Sequence, residues 1–208
     1  MGHRQTAQAL LDARCARIVA SAAFFGEFAG GTPASTPFEM RTGVALGSNL
    51  GDRLGNLRGA RKAIVGLAGV QPPVLSSAVY ETDAIDCEPG AGKFLNAVLE
   101  FDYKGDPTDL WKKLMEIESA LGRLRDHARN VSRKIDIDIL YAGEIQIDTR
   151  ELQLPHRRLH LRRFVLQPLI DIRPDLILPN QTKTVRELLA ELHESGKVIR
   201  LTNEWKEQ

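Results

Sequence analysis

The chain has 208 residues, 43% of them hydrophobic and 26% charged, with a net charge of +1, a composition that fits one globular domain with at most an appendage. Near-neutral charge excludes a general nucleic-acid binder, which would be clearly basic, and no apolar run reaches the roughly 18 residues of a membrane span. Two cysteines, Cys15 and Cys87, cannot build a disulfide framework and suit a reducing cytoplasm.

Residues 1–40 read as an N-terminal extension and 41–208 as the functional domain. Thr6 to Phe25 can form a helix, and Gly26 to Pro37 is rich in small residues and proline, like a linker. Met40 stands just before the first convincing strand, so it is the expected native start. Thr42–Leu46 is a short apolar strand, and Gly47-Ser48-Asn49-Leu50-Gly51-Asp52 turns it into a helix from about Asp52. Leu54, Leu57, Ala60, Ala63, Ile64 and Leu67 give that helix an apolar stripe. Gly47 and Gly51 do not fit the G-x-G-x-x-G spacing of a dinucleotide-binding turn.

A second strand is expected from Pro72 through Tyr80, then a glycine-bearing loop to Lys93. Gly90-Ala91-Gly92-Lys93 imitates the end of a phosphate-binding loop, but Phe94 stands where Ser or Thr is needed, and a strand follows instead of a helix. That strand, Phe94–Tyr103, carries one polar residue in its apolar part. Asn96 there is either a satisfied structural amide or a ligand contact. Asp106 should cap a helix begun by Pro107, lined by Leu110, Leu114, Ile117 and Leu121 and ended by Gly122.

Gly122 to Tyr141 carries the chemistry. Arg123, Arg125, Arg129 and Arg133 occupy a segment without helical or strand periodicity. Lys134–Tyr141 then alternates, with Ile135, Ile137 and Ile139 on one face and Asp136 and Asp138 on the other. Two carboxylates spaced roughly 6.5–7 Å along a strand can hold hard cations, which lie about 3.5–4 Å apart in paired phosphoryl-transfer sites. Arginines nearby would follow charge onto a transferring phosphate. The plainer reading is the solvent face of an edge strand, kept charged against aggregation. Downstream, His156 and His160 are four apart, but no H-E-x-x-H pattern supports zinc. Phe164–Ile172 and Thr184–Leu192 read as helices and Lys197–Leu201 as a last strand. Alternating strands and helices predict an α+β, ferredoxin-like antiparallel sheet flanked by helices in three layers.

Five stretches occur in order: Leu46–Asp52, Phe94–Ala97, Gly122–Arg125, Arg133–Leu140 and Leu154-Pro155-His156. Together they resemble the 6-hydroxymethyl-7,8-dihydropterin pyrophosphokinase family of folate biosynthesis, over about residues 42 to 180. The resemblance implies transfer of pyrophosphate from ATP to the pterin hydroxymethyl group, leaving AMP. It implies that Asp136 and Asp138 hold two magnesium ions and that Arg123 and Arg133 engage the transferring phosphates. It places Arg125, Arg133, Ile139, His156 and Arg162 at the nucleotide. Phe94 and Phe164 would sandwich the pterin, Asn96 would bond its edge, and Thr82 and Ile85 would line its pocket. A cytoplasmic enzyme is expected, working as a monomer on ATP and the pterin, with no nucleic acid or membrane partner.

The chain departs from the family where Arg-Trp-Gly-Pro-Arg is frequent and Arg129-Asn130-Val131-Ser132-Arg133 stands here. Asp83 follows Thr82 where proline is common, Phe94 replaces a frequent tyrosine, and Arg157 follows His156 where tyrosine or proline is usual. The first alternative is a non-catalytic pterin- or nucleotide-binding relative, which would not need Asp136, Asp138, Arg123 and Arg133 together. The second is a small RNA-binding protein, which the low aromatic content of 6% disfavours.

Overall fold

The computed structural model describes residues 39–84, 87, 90–122, 132–193 and 196–205. The expected N-terminal helix and linker, and the start-site expectation apart from Met40 itself, lie outside them. The described residues hold eight strands: β1 Glu39–Ser48, β2 Val70–Ser76, β3 Val79–Thr82, β4 Phe94–Lys104, β5 Asp136–Ala142, β6 Ile147–Asp148, β7 Gln153–Leu154 and β8 Val198–Thr202. The helices are α1 Arg53–Val65, α2 Pro107–Ala120, α3 Arg163–Ile170 and α4 Val185–Glu191, with a 3-10 turn at Leu159–Leu161. None of the described helices is long and apolar enough to cross a membrane.

The main sheet runs β5-β1-β4-β3-β8, with β2 also on β4 and every pairing antiparallel. Alternation along the strands sends residues to two faces. Val44, Leu46, Leu95, Leu99, Phe101, Ile137 and Ile139 join Leu57, Ile64, Leu110 and Leu114 of α1 and α2 in one core. Val98, Leu140 and Tyr141 join Val165, Leu166 and Leu169 of α3 and Val185 of α4 in the other. The sheet is thus the middle of three layers, as the strand–helix alternation predicts.

Local signals decide where the elements begin and end. Asp52 caps α1 by accepting from the Gly55 N–H, and Asp106 caps α2 by accepting from Thr108 N–H. Gly122 ends α2 with φ +94°, a conformation that favours glycine. Thr184 and Glu187 form a reciprocal capping box on α4. The single strand expected over Pro72–Tyr80 is two. Ser77 is the reason: its N–H donates to Val98 O and its hydroxyl accepts from Val98 N–H, so the chain closes its own pairing there and restarts. The C-terminal tail is held by Trp205, 1% exposed, whose indole N–H donates to Ser77 O at 2.8 Å.

One buried charge ties the second core together. Glu100 on β4 is 1% exposed, and accepts from Arg173 through a forked pair at 2.7–2.9 Å, from Tyr141 Oη at 2.6 Å and from Arg41 Nε at 2.6 Å. Burial pushes its carboxyl up, but Arg173, Tyr141 and Arg41 outweigh burial and leave it below the ordinary 4.5. Its stabilising contribution is therefore full above that ordinary value and is lost as pH falls through the folded one. We expect Glu100→Gln to cost about 3 kcal/mol at neutral pH, and the gap to be smaller at an acid pH below the ordinary carboxyl range. Denaturant titrations at both pH values check this; an equal gap at both would contradict it.

Candidate active site

The register of three neighbouring strands builds the site. Gly47 on β1 pairs with Asn96 on β4 at one side and with Asp136 on β5 at the other, so the three share one face. One step down, Ala45 lies between Val98 and Asp138. A Cβ on Gly47 would lie 3.2 Å from Asn96 Oδ1, 3.8 Å from Phe94 Cδ1 and 3.9 Å from Asp136 Cβ. Glycine therefore keeps the floor open between the amide, the aromatic ring and the carboxylate.

Above this floor is a cleft lined by Thr82, Phe94, Asn96, Arg133, Asp136, Asp138, Arg162 and Phe164. Eight of the thirteen residues singled out from the sequence thus meet at one place. Phe94 opens β4 and Phe164 lies in the first turn of α3, so the two rings come from adjacent layers, one from the sheet and one from the helices on its face. The Arg162 guanidinium lies 5.4 Å from the Phe164 ring centre. The Asn96 amide donates to Thr82 Oγ1 at 2.8 Å. Both readings of Asn96 hold together: it is satisfied structurally and it lines the cleft.

Electrostatics sharpen the picture. Asp138 is pushed up to about 7 by burial and then by the Asp136 charge, with Arg162 and Arg133 opposing and Glu118 adding to the rise. Asp136 accepts from Arg133 Nη1 at 2.7 Å. Two carboxylates crowded this way are short of positive charge, which a divalent cation supplies. Among the described residues no group of three or more His, Cys, Asp or Glu could enclose a metal. Such a pair suits magnesium, which keeps waters and takes one or two carboxylates plus substrate phosphates.

The remaining sequence-derived residues fall elsewhere. Ile139 is 4% exposed in the core with α1 and α2, on the face opposite the aspartates, so its side chain does not reach the cleft. His156 lines a separate small cavity with His160, Leu178 and Pro179. Burial and the guanidinium groups of Arg162, Arg158 and Arg157 hold its imidazole down at about 4, so it is neutral at physiological pH. Its Nδ1 accepts from Arg158 N–H, which leaves the proton on Nε2 as a donor. Arg123, Arg125 and Ile85 lie outside the described residues. A larger cavity, ≈490 Å³ against ≈110 Å³ for the cleft, is floored by Arg41, Glu100, Tyr141 and Arg173. Those groups are committed to the buried ion network, which leaves the smaller space as the candidate site.

Two residues at the site escaped the sequence reading. Glu118, 3% exposed on α2, accepts from the Ile137 N–H at 2.7 Å, between the two aspartates on the outer edge of β5. Its position four after Leu114 put an acid on the apolar stripe, which was the available signal. Asn49, 6% exposed, bonds Gly92, Ser132 and Arg133; the sequence places it in a turn and in one of the five resembling stretches but assigns its side chain no role.

Comparison with known proteins points to one family. The family model described as 7,8-dihydro-6-hydroxymethylpterin-pyrophosphokinase (HPPK) matches residues 43–174. The 2-amino-4-hydroxy-6-hydroxymethyldihydropteridine pyrophosphokinase of Methylorubrum extorquens is 40% identical over 156 residues, 75% of this chain and 96% of that protein. The protein of the same name from Pseudomonas aeruginosa is 37% identical over 156 residues, 73% of this chain and 91% of that one. Among solved structures, a Plasmodium falciparum HPPK-DHPS crystallised with pterin and p-hydrobenzoate superposes with a TM-score of 0.57 at 14% identity. That match covers 76% of this chain but spans only 45% of the solved one, and it shows the fold alone. The chain belongs to the 7,8-dihydro-6-hydroxymethylpterin-pyrophosphokinase family, the pyrophosphokinases of folate biosynthesis.

Proposed function

We propose that residues 41–208 of this chain transfer pyrophosphate from ATP to the hydroxymethyl oxygen of 6-hydroxymethyl-7,8-dihydropterin, with two magnesium ions at Asp136 and Asp138. The observation that carries the reading is the shared row of Asp136, Gly47 and Asn96, a carboxylate suited to a cation beside an amide suited to a heterocycle edge. The hydroxymethyl oxygen bonds to the β-phosphorus, the α,β-bridging bond breaks, AMP leaves, and the hydroxyl proton is released. No protein nucleophile is needed, so catalysis is positioning plus stabilisation of charge.

Each side chain has a place in this reading. Phe94 and Phe164 stack on the planar pterin, while Asn96, held by Thr82, bonds its edge; Ile85 is assigned to the same pocket. Arg133 at Asp136 and Arg123 face the transferring phosphates. Arg125, Arg162, the backbone of Ile139 and the neutral His156 serve the nucleotide. Magnesium, when bound, neutralises the non-bridging phosphate oxygens. The protein itself excludes water and aligns the two substrates.

Phe164→Ala should weaken pterin binding by about tenfold or more and ATP binding by far less. Equal losses in paired titrations would count against the sandwich. Asp138→Asn should abolish magnesium-dependent turnover. The same change should raise the melting temperature of the metal-free protein at pH 8 more than at pH 5. The sign follows from the raised value: a carboxyl that titrates at about 7 when folded, against 3.8 ordinarily, loses folded stability as pH rises between the two. Removing the charge removes that loss. Retained activity, or a variant no more stable at pH 8, would contradict the assignment.

A further inference from the structure

We infer that the Ser132 hydroxyl is a positioning group for Arg133, acting through the side chain of Asn49. It deepens the reading of Arg133 as a phosphate-facing residue and rests on it.

Asn49 grips the Arg133 backbone at two points. The Asn49 N–H donates to Arg133 O at 3.2 Å, and Asn49 Oδ1 accepts from Arg133 N–H at 2.7 Å. The same amide donates from Nδ2 to Ser132 Oγ at 3.0 Å and to Gly92 O at 3.3 Å. The orientation of the amide follows from its partners, since Nδ2 faces two acceptors and Oδ1 faces a donor. Turned over, it would set Oδ1 against the Gly92 carbonyl oxygen and the NH2 group against the Arg133 N–H, whereas the Ser132 hydroxyl suits either orientation. Gly92 O and Arg133 N–H therefore set which way the amide faces, and Ser132 Oγ holds it there. The shorter of the two bonds that Nδ2 donates is the one to Ser132 Oγ.

The consequence reaches the carboxylates. With its backbone held, Arg133 sends Nη1 to Asp136 Oδ1 at 2.7 Å and lines the cleft. Ser132 stands where the resembling pattern Arg-Trp-Gly-Pro-Arg has proline. Proline fixes its own φ covalently before the arginine; serine leaves the backbone free, and the hydrogen bond to Asn49 restores the restraint. The departure from the family pattern at 132 is in this way balanced by a contact that proline cannot make. Asn49 is 6% exposed, so water competes little for these bonds.

A double-mutant cycle on the full chain tests this: the parent, Ser132→Ala, Arg133→Ala and the two combined, each assayed for pterin-dependent AMP formation. Ser132→Ala should lower kcat about fivefold, the size of one lost hydrogen bond, with the KM for pterin and the melting temperature nearly unchanged. Ser132→Thr, which keeps the oxygen, should restore kcat. In the Arg133→Ala background, Ser132→Ala should cost nothing further, because the group through which it acts is gone. An equal loss in both backgrounds, or no loss in the parent, would overturn the inference. A parent without turnover would instead contradict the functional reading. The inference is then decided by amide hydrogen exchange at the Arg133 N–H, faster in Ser132→Ala if it holds and unchanged if it does not.

Discussion

Gly47 has no side chain, and the site depends on that. It is the middle member of a three-strand row in which Asn96 and Asp136 face the same way on either side. Strand spacing of about 4.8 Å fixes how far apart the two flanking groups can be. The amide and the carboxylate are thus placed by backbone hydrogen bonds and not by flexible loops. A larger residue would press first on Asn96 Oδ1, then on the Phe94 ring and the Asp136 methylene. The rest of the cleft is added to this row: Phe164 and Arg162 from the α3 side, Thr82, Phe94 and Asp138 from β3, β4 and β5 of the same sheet, and Arg133 from the segment that enters β5.

The two cores divide the work between scaffold and chemistry. The core under α1 and α2 is almost wholly apolar, while the face toward α3 carries Asp136, Asp138, Asn96 and the Glu100 network. That second face holds charge at both ends and handles it differently. Glu100 is neutralised by two arginines and a tyrosine, so its carboxyl stays below the ordinary range. Asp138 has Asp136 and Glu118 nearby, and its carboxyl rises to about 7. The satisfied cluster stabilises the fold. The under-neutralised pair stores an electrostatic cost that a bound cation would relieve, a common mark of a functional position.

Much of this was legible in the residues. The Ile/Asp alternation of 135–139 placed both carboxylates on one face, and Asp106-Pro107 with Gly122 marked the two ends of α2. The rejection of Gly90–Lys93 as a phosphate loop also holds, since the chain runs from it directly into β4. Other features depend on contacts between distant segments, which periodicity does not encode. Ser77 splits one expected strand by pairing with Val98, and Asn49 meets Ser132 and Arg133 across 83 and 84 residues of sequence. Ile139 illustrates the converse. The alternation that turns Asp136 and Asp138 toward the cleft turns its side chain into the opposite core, away from them.

The claim at the centre is that this cleft moves two phosphorus atoms together. Phosphorus NMR of the products formed from ATP, magnesium and 6-hydroxymethyl-7,8-dihydropterin tests it most directly. AMP together with a pterin carrying two mutually coupled phosphorus resonances is the expected result. ADP with a singly phosphorylated pterin, or no product while the pterin binds tightly, would contradict it.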